Sequence, residues 1–427
     1  MASDQFSIKD FKGSEEEMSI KSVLGIICTK TVSPVPKFLN LVIKNSNAVA
    51  GKSFSDASVY LRLNHESGEA ASYISKFPEC GLVYMKDILN SSVLEDFQKR
   101  GVDAIEMHSD VCRQPFVALL GFLRGREQHE RSLRRLITST LPTSGNKETQ
   151  IIVALAHHLF SQLVPGKEYE VDKYAKQLPT TCGCGCKANI CAGNTSLGSE
   201  MTWHGRVDIL LNNTVVVALG KEQTDKCEEE DDDASCEPER KQRKIETGKK
   251  CNICVEVNTS RRHENVLLDQ KVLEQIIAEA ITNGFAQVNS NRSALSHFLI
   301  PTIGTTSDHV SICLYDPEND ILLYIKEQLE LWSPGTKKNQ LNVFTIIVIW
   351  IFLNFTFLTR KNFAAIVDLD KSGLHADLKQ DLYYYKKARA KENFISSTTN
   401  EALWKTIVEQ PRVPKEPTKD DPPVVKT

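Results

Sequence analysis

The chain has 427 residues, 41% of them hydrophobic and 25% charged, with a net charge of −3. That length and apolar content suit two packed domains of a soluble globular protein, and the near balance of charge argues against a surface that binds polyanions throughout, leaving local basic patches open. The first 18 residues are polar and lack the charged start and apolar stretch of a secretory signal, so the expected location is intracellular, nuclear or cytoplasmic, with reduced thiols the default for the 12 cysteines.

In residues 1–140 the short apolar runs 23–27, 39–43 and 81–84 read as strands, and 115–123 reads as a helix with Pro115 suited to a first turn. A smaller α/β module is the expectation there. Arg113, Arg124, Arg126, Arg131, Arg134 and Arg135 make one basic group that suits either phosphate or charged helix ends. Residues 148–163 then predict a helix with Ile151, Ile152, Leu155, Leu159 and Leu163 on its apolar stripe. Glu148 falls in its first turn, where a carboxylate complements the helix dipole. His157 and His158 read as helix-surface or core-edge residues.

Cys182, Cys184, Cys186 and Cys191 follow in a run separated by small residues, and Cys251 and Cys254 form a later pair. A zinc ion bound by the first four is one reading and a Gly/Cys-rich loop the other. The spacing favours the loop, because alternating side chains in an extended run lie about 6–7 Å apart, although Gly183 and Gly185 permit a tighter path. No disulfide is expected.

Residues 203–211 predict a strand carrying Asp208, Asn212 and Asn213 a turn, and 214–217 a second, β-branched strand, which together make a hairpin. Residues 221–250 read as a disordered insertion, with an acidic block at 228–233 and a basic one at 240–244 that is either a nuclear address or solvated charge. Alternation over residues 253–258 places Cys254, Glu256 and Asn258 on one strand face, and a core-facing helix with Gln270 and Gln275 is expected over 266–285.

Further strands are expected at 296–302, 310–315 and 321–325. Residues 341–358 carry no charge and are flanked by Lys337, Lys338, Arg360 and Lys361, a length that suits either a bilayer span or a helix buried in a large domain. Its polar interruptions, Asn342, Thr345, Asn354 and Thr356, favour burial. Residues 391–427 read as a mostly disordered tail, rich in Pro and charge from 409 onward.

The strand ending in Asp208, the strand with Glu256 and the helix with Gln275 resemble the PD-(D/E)xK, or restriction-endonuclease-like, nuclease superfamily over roughly residues 145–330. The resemblance matches Asp208 to the first acidic position, Glu256 to the second and Gln275 to the helix Gln, with Gln270 in reserve. It makes Glu148 the candidate for a third acid supplied by a helix ahead of the sheet. It implies an α/β domain over 141–390 with a mixed central sheet flanked by helices, in which Asp208, Glu256 and Glu148 hold Mg²⁺ or Mn²⁺ for phosphodiester hydrolysis.

Asn258 stands where the family has its Lys. Losing that one charge lowers the rate by on the order of 10²–10³, unless Arg261, Arg262 or Lys271 compensates. The leading expectation is therefore a divergent Mg²⁺-dependent nuclease that acts on or binds nucleic acid. A pseudonuclease that binds without cutting is the alternative, and a single-pass membrane protein anchored at 341–358 is the third.

Overall fold

A computed structural model describes residues 8–62, 81–106, 108–137, 146–220, 270–334 and 340–390. At its centre lies a mixed sheet of ten strands. From one edge the order is Leu82–Tyr84, Lys37–Asn40, Ile321–Ile325, His309–Asp316, Ile300–Thr305, Val215–Leu219, Ile209–Leu211, Tyr169–Asp172 and Ala192–Gly193, with Leu329–Glu330 added alongside His309–Asp316. Neighbours run antiparallel except at Val215–Leu219 beside Ile300–Thr305 and at Tyr169–Asp172 beside Ala192–Gly193. The expected class, α/β with a large mixed sheet and flanking helices, is what the chain adopts.

Local chemistry accounts for the part of the sheet that carries Asp208. Asn212 and Asn213 both have positive φ, 46° and 56°, as a type I′ hairpin turn requires, and Ile209–Leu211 therefore folds back on Val215–Leu219 as expected. The parallel step to Ile300–Thr305 needs a long crossover, and the helix Gln270–Ser290 lies within it. Its residues Leu273, Ile276, Ile277, Ala280 and Ile281 are buried against the sheet.

Register fixes which face each helix covers. Tyr315 packs against Gly284 of that helix, where a Cβ would lie 2.9 Å from its ring. Directly paired residues share a face, so the pairs Tyr315–Leu322, Cys313–Tyr324 and Leu39–Tyr324 carry that face through to the first strand. Phe38 then points to the opposite face, where its ring meets Phe352 at 5.6 Å. Phe352 belongs to the helix Val343–Leu353, so the sheet is a layer between two helices.

Several expectations change in the structure. Residues 23–27 lie in the helix Glu15–Thr29, not in a strand; Ser14 caps it by accepting a hydrogen bond from the Glu17 amide. Pro115 sits inside the helix Asp110–Arg124 rather than in its first turn. The expected strand over 203–211 is divided: His204–Arg206 pairs with Ser196–Gly198 in a separate ribbon, and Ile209–Leu211 enters the main sheet. The strand expected at 296–302 begins at Ile300, after a short helix Arg292–Leu295. Lys37–Asn40, from the segment expected as a separate module, pairs with Ile321–Ile325 in the central sheet.

The apolar segment 341–358 forms Val343–Leu353 and Phe355–Leu358, and every residue from Thr345 to Leu353 is buried. Trp350 is fully buried, donates to the Pro115 carbonyl at 2.8 Å and packs against Phe116 at 5.0 Å between centroids. Such a helix is apolar all round because it is enclosed by protein. No described helix is long and apolar enough to cross a membrane. The insertion 221–250, the Glu256 strand with Asn258, Arg261 and Arg262, the Cys251–Cys254 pair and the tail 391–427 lie outside the described residues.

Candidate functional sites

Asp208 occupies the short step between the ribbon and the main sheet, at the mouth of the hairpin. Its Oδ2 accepts a hydrogen bond from the Leu219 amide at 2.7 Å, so the carboxylate is held between the two strand ends. Burial pushes Asp208 up to about 6 despite that bond, and the charges of Glu148 and Asp172 push in the same direction. Asp172 ends the neighbouring strand, donates its amide to the Asp208 carbonyl at 3.3 Å and pairs with Arg206 at 3.2 Å.

A second carboxylate reaches this place from the helix. Gln275 donates to Glu279 Oε1 at 2.8 Å, while Oε2, also buried, has no hydrogen-bond partner among the described residues. Burial pushes Glu279 up to about 8; the Gln275 bond works against the rise and the Asp208 charge adds to it. Asp208 thus feels the charge of Glu148 and acts on Glu279, an acid that sequence reasoning missed, while Gln275 joins them through its bond to Glu279. Its position one helical turn after Gln275, on the same face, was the available signal. Gln270 is turned to Glu274 at 2.9 Å, and Lys271 also pairs with Glu274, at 3.3 Å.

Val215–Leu219 fills the sheet position beside the Asp208 strand and is itself flanked on its other side by Ile300–Thr305. It presents Val215, Val216, Val217, Ala218 and Leu219, with neither an acid nor a lysine. At the outer edge, Tyr174 is 60% exposed, with the Arg206 guanidinium 4.6 Å and the Lys173 ammonium 5.0 Å from its ring centroid. Of the arginines grouped in the sequence, Arg124 lies over Phe11, Arg134 over Trp332 at 4.3 Å, and Arg126 pairs with Glu130 at 3.1 Å.

A different cluster forms behind the sheet edge. The helix Lys147–Leu155 passes into a π-helical turn, Ala156–Phe160, which carries His158 inward to 3% exposure. Its Nε2 lies 3.1 Å from Cys184 Sγ, 3.5 Å from Cys182 Sγ and 3.6 Å from Cys186 Sγ. The cysteines do not form an extended run. Cys182 donates its amide to the Ala188 carbonyl at 2.9 Å, and Gly185, at φ +89°, turns the chain so that all three sulfurs face one point.

The four ligand atoms lie within 4.8 Å of one another, the one such group of three or more His, Cys, Asp or Glu among the described residues, and they could hold a metal ion such as zinc. Two expectations are corrected here. Cys191 is exposed and outside the cluster, its carbonyl being used by the Val171 amide, and its place is taken by His158, read from the sequence as a helix-surface or core-edge residue and buried here as a candidate ligand. Burial lowers His158 to about 3, with His157 and His129 adding to the fall, so its imidazole is neutral.

Comparison of the chain with protein families, with curated proteins and with solved structures finds no match.

Proposed function

We propose that this protein handles nucleic acid at the Asp208 mouth as a divergent, divalent-metal-dependent nuclease of the PD-(D/E)xK type. The observation that carries the reading is that Asp208, beside a strand end, and Glu279, on the helix, are both buried carboxylates, with the Asp208 charge acting on Glu279. Two such groups in a buried place are poorly stabilised as anions, and a divalent cation is the partner that would satisfy both. Mg²⁺ suits the donors, since it takes oxygen ligands and is commonly held by one or two carboxylates with water completing its shell. The Oε2 of Glu279, without a hydrogen-bond partner among the described residues, would be available to such an ion. Glu148 supplies further negative charge, and Gln275 orients Glu279.

The bound ion would supply an activated water at neutral pH. The chain's own part is to hold that ion and to present the strand. Tyr174, with Arg206 and Lys173 around it, offers an aromatic face for a base and cations for phosphates at the sheet edge, where Arg206 pairs with the Asp172 that neighbours Asp208.

A pseudonuclease that binds without cutting is the second reading, favoured by the purely aliphatic strand Val215–Leu219 beside Asp208. Incubating the full-length protein with labelled single-stranded and duplex DNA and RNA, in Mg²⁺ or Mn²⁺, separates the two. Cutting that disappears in both Asp208→Ala and Glu279→Ala supports the nuclease. Binding without cutting supports the pseudonuclease, and the absence of both activities removes the proposal.

A further inference from the structure

We propose that His158, Cys182, Cys184 and Cys186 bind one zinc ion as a closed structural centre, in which His129 fixes the His158 ring. This inference stands apart from the reading of the carboxylate mouth. Three sulfurs converge on one imidazole nitrogen, at 3.1, 3.5 and 3.6 Å. One nitrogen carries either a single proton or a single lone pair, so hydrogen bonding satisfies one of these approaches and leaves two unexplained. A cation at the centre explains all three. A tetrahedron with Zn–N near 2.0–2.1 Å and Zn–S near 2.3 Å sets N and S roughly 3.5 Å apart, which is the spacing found.

The donor set selects the metal. Three thiolates and an imidazole are soft ligands, unsuited to Mg²⁺ or Ca²⁺ and suited to zinc. Four protein donors leave no open position for water or substrate, which is the mark of a structural rather than a catalytic zinc.

The surroundings are built as a support for these ligands. His158 Nδ1 lies 3.4 Å from His129 Nδ1, so the nitrogen that faces away from the sulfurs has its own partner, and the ring is fixed for Nε2 to ligate. His129 stacks on Phe122 at 5.3 Å. Arg135 donates to the Cys184 carbonyl at 3.0 Å, and Gln150 lies 3.0 Å from where a Cβ on Gly183 would stand. The helix Arg126–Ile137, the helix Lys147–Leu155 and the loop that ends at the sheet-edge strand Ala192–Gly193 therefore meet at this one point. The ion ties those helices to the sheet edge.

The test uses the full-length chain. Elemental analysis after gel filtration is expected to find one zinc per chain, lost in Cys184→Ser and in His158→Ala and kept in Cys191→Ser. Because unfolding would also remove zinc from the first two variants, the wild-type protein is reloaded with Co²⁺ as well, which is expected to show the visible absorption of a tetrahedral site and thiolate charge-transfer bands. For His129, chelator competition is expected to show zinc bound about 10–100-fold more weakly in His129→Leu, with His129→Gln restoring much of the loss. No zinc together with no tetrahedral Co²⁺ spectrum overturns the site, as does iron in its place or loss of zinc in Cys191→Ser. Equal zinc affinity in His129→Leu and wild type overturns the role of His129.

Discussion

The Glu279 carboxylate, on the long helix, lies in the field of the Asp208 carboxylate at the mouth of the hairpin, and burial holds both above the ordinary carboxylate range, at about 8 and about 6. Neither is comfortable as an anion without a cation.

The first prediction follows from the raised Glu279. Below about pH 4.5 the group is protonated in both folded and unfolded chains and contributes nothing. Between there and about 8 the unfolded chain releases a proton that the fold retains, so stability falls as pH rises; above 8 the loss is complete. Glu279→Gln keeps the acceptor for Gln275 and removes the charge. In buffer without added Mg²⁺ it is expected to stabilise the protein by about 1–3 kcal/mol at pH 7 and to flatten the decline between pH 5 and 8, as read by denaturant unfolding. An unchanged pH profile would show that Glu279 is not the titrating group.

If a divalent ion binds these carboxylates, Glu279 must give up its proton to ligate. Calorimetry at pH 7 is expected to show Mg²⁺ or Mn²⁺ binding with release of up to roughly one proton, seen as a dependence on buffer ionisation enthalpy, and affinity that rises with pH toward 8. Glu279→Gln should abolish the proton release. Binding that is independent of pH from 6 to 9 would place the ion elsewhere.

Zinc removal should be felt throughout the helical side of the protein. Stripping with a strong chelator is expected to lower the melting temperature by on the order of 5–10 °C and to speed amide exchange in Arg126–Ile137 and Lys147–Leu155. Cys191→Ser, outside the cluster, should match wild type in both measurements.

Trp350 tests the buried helix. Trp350→Ala removes a fully enclosed ring and is expected to destabilise the chain by about 3–5 kcal/mol, whereas Trp350→Phe, which loses the indole N–H bond to Pro115 and part of the ring volume, should cost about 1–3 kcal/mol. Urea unfolding of the two variants gives the comparison. Near-neutral values for both would mean that the helix is not enclosed by protein.

At the sheet edge, Tyr174→Ala should weaken binding of single-stranded oligonucleotides by about 1–3 kcal/mol, with Arg206→Ala reducing its salt dependence. Fluorescence anisotropy at several salt concentrations measures both. Unchanged affinity in Tyr174→Ala would remove the stacking role.

Much of the fold was legible where local chemistry decides it. Two consecutive Asn residues that tolerate positive φ announce the hairpin, and the helical spacing around Gln275 announces the crossover helix. The error at 23–27 has a physical origin, since a short apolar run suits a strand or a buried helix equally. The arbitrating signal was upstream, in Ser14 followed by Glu15, Glu16 and Glu17. The cluster of candidate metal ligands was half legible. The cysteines advertise it by type, but His158 joins them only after the chain has returned across 24 residues and a π-helical turn, and spacing alone does not reveal that meeting. Arithmetic on an extended run failed because Gly185 breaks the run.

The pairing of Lys37–Asn40 with Ile321–Ile325 constrains how the protein is made. Phe38 leaves the ribosome about 290 residues before its partner Ile325, on the order of 15–60 s at ordinary rates of synthesis. For that interval the early strand has Leu82–Tyr84 on one edge and nothing on the other, and if residues 1–140 were cut away, the flank of Ile321–Ile325 would stand open with a row of unpaired amides and carbonyls. The first and last thirds of the chain are therefore obligate companions: separately expressed halves should be insoluble, and co-expressed halves should find each other.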